Sequence, residues 1–293
     1  MESKPSTPLA AFYKLIYLPA NPSAKPKTIR LYGNTIKKFH RFIEREPMLS
    51  DLNDESVGSF LRSLVDAGQS NATANKERAN LLAMWRHARA MGVVVVGPTV
   101  QKLAVAQKVP TALTVEELER LQSAFGTLQG ETAGIPNSDF MRAFFAVQFA
   151  TAERAGAVVE LRFGDINGNV IAFQADTRKG GRRALIKQVP EWVLAYIAKI
   201  KEPRRDQIFP IRETNRTKIQ LLYKRLFERA GVERPKGKSS HLLRSTHATM
   251  VWLAGGNATK SLGHSSREVT RRHYLDPRFK PDDSCEHLPS LDD

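Results

Sequence analysis

The chain has 293 residues, 41% of them hydrophobic and 26% charged, which suits a globular protein long enough for two domains with a core in each. Its 45 Lys and Arg against 30 Asp and Glu give a formal charge of +15, an excess that favours a polyanionic partner; on charge alone DNA, RNA and an anionic membrane surface all stay open. No apolar run approaches the roughly 20 residues of a membrane span, the region after Met1 is too polar for a signal peptide, and the only cysteine, Cys285, excludes an internal disulfide and a thiolate metal cluster, as in a reducing cytosol.

Charge is spread along the chain: residues 1–109 carry +8 and residues 110–281 carry +12, while residues 282–293 hold Asp282, Asp283, Glu286, Asp292 and Asp293 and no Lys or Arg. The first 27 residues contain Pro5, Pro8, Pro19, Pro22 and Pro26 and read as an arm or loose lead-in. From Thr28 to Arg45, Leu31, Tyr32, Ile36, Phe39, Phe42 and Ile43 recur at helical spacing, with Lys37, Lys38 and Arg41 between them. A second helix is predicted from about Asp54 (Val57, Phe60, Leu61, Leu64, Val65), stopping near Gly68, and a third over about Asn75 to Met91, ending at Gly92. These make a helical domain over 28–100, followed by a linker at 101–112.

Thr114 and Glu117 form a capping box, so a second domain, 113–281, starts with a helix, and an acidic tail, 282–293, follows it. Ser138 to Ala150 is apolar nearly all round and predicts a buried central helix. Val170–Phe173 and Ala184–Val189 are short β-prone runs separated by Arg178, Lys179, Gly180, Gly181, Arg182 and Arg183, the pattern of a hairpin with a basic turn. Helices are then expected over about Glu191–Ile200, Thr214–Ala230, Leu242–Leu253 and Arg267–Tyr274. The fold class is mainly α with a small β-sheet, an α+β arrangement.

The chemistry concentrates near the end. His241 and Arg244 are three apart and share a helix face: Arg can grip two phosphate oxygens with its planar fork, and His can move a proton beside it. By itself H-x-x-R is common and reads as a feature of a helix surface. Arg154, taken alone, reads as a partner of Glu160 or Asp165, Lys179 as part of a solvated charge run, and Tyr274 as core. Thr270–Tyr274, however, is more polar than core packing wants. Tyr196 and Tyr223 lie at core spacing, His247 and His273 read as structural, and no histidine spacing suggests zinc.

The segment His241 to Pro277, with H-x-x-R, then Leu262-Gly263-His264, then Tyr274, resembles the tyrosine recombinase (phage integrase) family. Thr151 to Ile166 is similar to the family's first-arginine motif, Lys179 matches its hairpin lysine, and the helices of 28–92 resemble its N-terminal core-binding, SAM-like domain. The resemblance covers about residues 28–278. It implies a site-specific DNA recombinase or integrase, a C-shaped clamp on DNA that cuts and rejoins strands through a 3′-phosphotyrosyl ester. No metal, ATP or other cofactor is called for. Tyr274 is then the nucleophile, Arg154 and Arg244 bind the non-bridging oxygens, and Lys179 protonates the leaving 5′ oxygen. His241 accepts the tyrosine proton and His264 orients the phosphate. Lys37, Lys38, Arg41, Arg178, Arg182, Arg183 and Lys218 are the expected DNA contacts, with Arg216, Lys224 and Arg225 on a further basic face. Implied partners are double-stranded DNA and three further copies, a homotetramer on two sites, with room for an accessory DNA-bending protein and none for a membrane. The implied location is the cytoplasm, at the nucleoid if the source is bacterial.

Three departures bear on activity. Ala157 stands where the family usually has an acidic residue, so support for Arg154 falls to Glu153 or Glu160. Arg244 and His264 are 20 apart, about one helical turn (~3–4 residues) short of the family habit, a deficit that the Ala254-Gly255-Gly256-Asn257 joint must absorb or that displaces His264. The segment after Tyr274 is short, acidic and poor in apolar anchors. A scaffold that has lost catalysis, acting as an accessory DNA-binding protein, and a type IB-like topoisomerase are the alternatives.

Overall fold

The computed structural model describes residues 4–178, 183–211, 216–234 and 239–281. The chain divides into two compact units, Met1–Gln107 and Lys108–Asp293.

The first unit packs α2 (Pro26–Ile43), α3 (Asp54–Asp66) and α4 (Asn71–Ala90) with a short α1 (Leu9–Phe12) that runs on into a π-type turn, Tyr13–Tyr17. Asn53 caps α3 by accepting from the Ser56 N–H at 2.9 Å, and Ser70 caps α4 through Thr73. Buried Phe39, Phe60, Leu81 and Trp85 form the core, with the Trp85 indole donating to the Val96 carbonyl at 2.8 Å. Here the expected N-terminal arm is corrected. Leu9 and Phe12 are fully buried in this core, and the Leu9 N–H donates to the Pro47 carbonyl. Two of the five prolines that suggested a lead-in stand at helix starts instead: Pro8 precedes α1 and Pro26 is the first residue of α2, where a missing N–H costs nothing. The beginning of the predicted linker is likewise tied down. Asn71 donates to the Ala104 carbonyl, and Asn75 both donates to and accepts from the backbone of Leu103.

The second unit opens with α5 (Val115–Ala124), its capping box formed as predicted by Thr114 and Glu117. A two-residue hairpin, β1 (Glu131–Thr132) with β2 (Ile135–Pro136), leads into α6 (Asn137–Thr151). Phe140, Met141, Phe144 and Val147 of α6 are fully buried, as expected of a helix apolar nearly all round. After a five-residue α7 (Ala155–Val159), an antiparallel sheet runs β3 (Ile166–Asn167), β4 (Val170–Phe173), β5 (Leu185–Gln188), with Phe173 opposite Leu185 and Ile171 opposite Lys187. The two strands therefore pair as the hairpin pattern required; its turn, including Lys179 and Arg182, lies outside the described residues. Then come α8 (Glu191–Lys199), α9 (Arg216–Ala230), α10 (Ser239–Leu253), α11 (Ala258–Leu262) and α12 (Arg267–Tyr274). No helix among the described residues is long and apolar enough to cross a membrane.

Candidate active site

The buried helix α6 ends at Ala152, whose backbone enters the left-handed region at φ +54. That reversal turns the Ala152 carbonyl toward the guanidinium of Arg244, whose Nη1 donates to it. Two residues on, Arg154 occupies the N-cap position of α7 and is half-buried. Arg244 itself is 1% exposed on α10. Its Nη2 donates to the Leu262 carbonyl at 2.7 Å and faces His264 Nε2 at 2.9 Å, while its Nε is buried with no partner among the described residues. A buried donor left unpaired is rare and calls for an explanation.

Hydrogen-bond logic settles the His264 tautomer. Arg244 only donates, so His264 Nε2 accepts, and Nδ1 carries the proton and donates to Thr270 Oγ1 at 3.0 Å. Burial, then the charges of Arg244 and Arg154, lower the His264 pKa to about 4, so the ring is neutral at pH 7. Tyr274, on the last residue of α12, places its ring centroid 4.8 Å from that of His264 and 5.4 Å from Arg244 Cζ. The short Arg244–His264 interval thus displaces nothing. Gly255 takes φ +76 and the Gly256 N–H closes on the Val251 carbonyl at 2.8 Å, so α10 stops abruptly and α11 begins within a few residues.

Arg244, His264 and Tyr274 are brought together, and Arg154 acts electrostatically on both Arg244 and His264. His241, one turn before Arg244, is exposed on α10. Among the basic residues expected to meet DNA, Lys37, Arg41 and Arg183 are exposed. Lys38 is ion-paired with Glu77 at 2.7 Å, and Lys218 donates to the Glu131 carbonyl. Arg178 turns inward to Glu153, with Nη2 2.6 Å from Oε1.

The sequence did not single out Lys187 or Ser261, nor Glu153 as the partner of Arg178, and it read His247 as structural only. Lys187 donates to Ser261 Oγ at 3.1 Å, and Ser261 Oγ lies 2.6 Å from His247 Nε2. His247 Nδ1 sits 2.7 Å from the Phe149 carbonyl, which only accepts, so Nδ1 holds the proton and Nε2 takes the Ser261 hydroxyl. Burial first, then Arg244 and Arg178, push the Lys187 ammonium below its usual value, and burial lowers the His247 pKa to about 4. The run Leu185-Ile186-Lys187-Gln188 gave no signal of this: only in the folded chain is Ile186 70% exposed and Lys187 half-buried beside it. Among the described residues no group of three His, Cys, Asp or Glu is placed to hold a metal ion.

The phage integrase family model matches residues 111–280, more than half of the chain and all of this cluster, and the family's N-terminal SAM-like domain matches residues 13–92. The chain belongs to the phage integrase family. This integrase is similar in fold to solved structures at low identity. A lambda integrase dimer bound to a COC′ core site matches with TM-score 0.70 and 19% identity, over 98% of this chain and 81% of that one. A lambda integrase tetramer bound to a Holliday junction matches with TM-score 0.69 and 18% identity, over 99% and 82%. XerH site-specific recombinase bound to palindromic difH substrate matches with TM-score 0.67 and 19% identity, over 90% and 80%. Among curated proteins, none matches this integrase.

Proposed function

We propose that the protein is a site-specific DNA recombinase in which Tyr274 attacks a scissile phosphate of duplex DNA. The phenolic oxygen forms a bond to phosphorus and the bond from phosphorus to the 5′ oxygen breaks, leaving a 3′-phosphotyrosyl ester that preserves the bond energy for religation. Charge that builds on the non-bridging oxygens is met by Arg154 and Arg244. Lys179 delivers a proton to the departing 5′ oxygen, and His241 takes the proton of the tyrosine. The observation that carries this reading is the packing of Tyr274 and His264 against the buried Arg244, whose Nε has no partner among the described residues. The solved lambda integrase tetramer on a Holliday junction supports assembly of four copies on two DNA sites, and action on DNA favours the cytoplasm, at the nucleoid in a bacterium, as the location.

The test uses nicked suicide duplexes tiled across the DNA that flanks the protein's own gene. The protein as it stands is expected to form an SDS-resistant covalent adduct, and Tyr274→Phe none. An adduct that survives Tyr274→Phe assigns the nucleophile elsewhere, and adduct-free but salt-sensitive binding across every duplex counts against catalysis.

A further inference from the structure

The proton donor assigned to the leaving strand follows Arg178 in sequence, whereas Arg154 stands at the N-cap of α7 and Arg244 on α10. Something must hold one against the other. Glu153 is 1% exposed and places both carboxylate oxygens in use: Oε1 accepts from Arg178 Nε at 2.7 Å and from Nη2 at 2.6 Å, and Oε2 accepts from the Arg154 N–H at 2.9 Å. Glu153 therefore pairs, by one oxygen each, with the residue just before Lys179 and with the backbone of the first catalytic arginine.

Arg178 completes the tie from its own side. Its Nη1 donates to the Arg183 carbonyl at 2.9 Å, across the mouth of the β4–β5 hairpin. Its Nη2 lies where a Cβ on Gly263 would approach to 3.0 Å, and Gly263 sits at φ +64 between Leu262 and His264. The guanidinium thus packs closely over Gly263, beside the turn that presents His264. Its side chain is 11% exposed against 1% for that of Glu153, so the pair is desolvated on both partners and is bidentate at Arg178. An exposed phosphate-contacting arginine would look different. The second strand is fastened independently, through Lys187 and Ser261 to His247.

We propose that Glu153 and Arg178 form a buried clasp that positions the β4–β5 hairpin, and with it the proton donor for the leaving 5′ oxygen, against the phosphate-binding arginines. The clasp residues touch neither phosphate nor nucleophile; they are positioning residues, and the proposal rests on the strand-transfer reading above for its chemical consequence alone.

Two measurements decide it. The first uses the DNA-free protein. Amide hydrogen exchange at Leu185 and Lys187, whose N–H groups face β4, is expected to quicken in Glu153→Gln and Arg178→Ala while α6 keeps its protection, and unchanged protection in β5 overturns the clasp. Glu153→Asp is expected to restore part of it. The second compares cleavage of suicide duplexes carrying an ordinary phosphate with duplexes carrying sulfur at the bridging 5′ position. Sulfur leaves as a thiolate and needs no proton. On ordinary DNA both variants are expected to lose roughly 100-fold in cleavage rate, and on the sulfur duplex to recover to the rate of the unaltered protein. An equal loss on both duplexes overturns the link to proton delivery. Failure of the unaltered protein to cleave either duplex sinks the strand-transfer reading, and the exchange measurement still decides the clasp.

Discussion

A left-handed backbone at Ala152 is costly for a residue with a Cβ, roughly 1–2 kcal/mol, and the structure uses it to aim one carbonyl at Arg244. That carbonyl and the one from Leu262 hold the guanidinium from two sides, so its orientation is set before DNA arrives. His264 is held too, with a neutral ring whose Nε2 accepts from Arg244. The same burial makes the second histidine a pH-sensitive element. His247 has a folded pKa of about 4, below the ordinary histidine value of 6.5, so the unfolded chain binds more protons between those pH values. Stability from this group is therefore complete above pH ~6.5 and lost as pH falls toward ~4, on the order of 2 kcal/mol. His247→Asn, which keeps a donor for the Phe149 carbonyl and does not titrate, is expected to show a shallower fall in Tm between pH 7 and 4. Parallel Tm curves for the two proteins would rule the assignment out. Depressed carboxylates such as Asp51 and Asp276 titrate below this window in both proteins and do not confuse it.

At the scale of elements, what was legible in the sequence was what is encoded locally. α6 is apolar around its circumference, α2 and α3 carry stripes at helical spacing, and Thr114 with Glu117 marks the start of α5; each is a pattern of a few adjacent turns. The residues proposed for catalysis were named from the sequence because family motifs space them at short intervals. What stayed hidden depends on distance or brevity. α7 and α11 have five residues each, too few for a periodicity, and Glu153 meets Arg178 across 25 positions. α1 was obscured by prolines that disfavour helix interiors but suit helix starts. The contact between α2 and α4 was equally invisible: Glu77 is 1% exposed and accepts from Thr35 at 2.5 Å and Lys38 at 2.7 Å, while Asn80 donates to the same Thr35 hydroxyl. Removing one member of a buried charged network leaves its partners unsatisfied, at about 3 kcal/mol. Glu77→Ala is accordingly expected to lower the unfolding temperature of the N-terminal unit by several degrees, and Glu77→Gln by less. A scanning-calorimetry transition unmoved by Glu77→Ala would show that the pair contributes nothing net.

For the whole molecule the governing quantity is the charge of +15, spread over both units. Internal ion pairs absorb some of it: Lys38, Arg178 and Arg278 are already committed to Glu77, Glu153 and Asp276. Exposed Lys37 and Arg41 on α2 enter no such pair among the described residues, and they stand on one face of that helix, four residues apart. Binding to phosphates releases condensed counterions, so the logarithm of affinity falls linearly with the logarithm of salt concentration, by about 0.9 per neutralised phosphate. Affinity for a duplex, read by fluorescence anisotropy between 50 and 200 mM salt, is expected to drop by ~10³–10⁵ if about 6–10 phosphates are met. Lys37→Ala with Arg41→Ala should weaken binding on every duplex alike and flatten the slope by about two, because phosphate contacts position a protein without reading bases. Lys38→Ala should change the slope less, since that ammonium already neutralises Glu77 and its loss exposes a carboxylate instead of freeing a phosphate. Equal slope changes for Lys38 and Lys37 would mean that the Glu77 pair opens when DNA binds, and a slope near zero would remove the polyanion from the account of why this chain is basic.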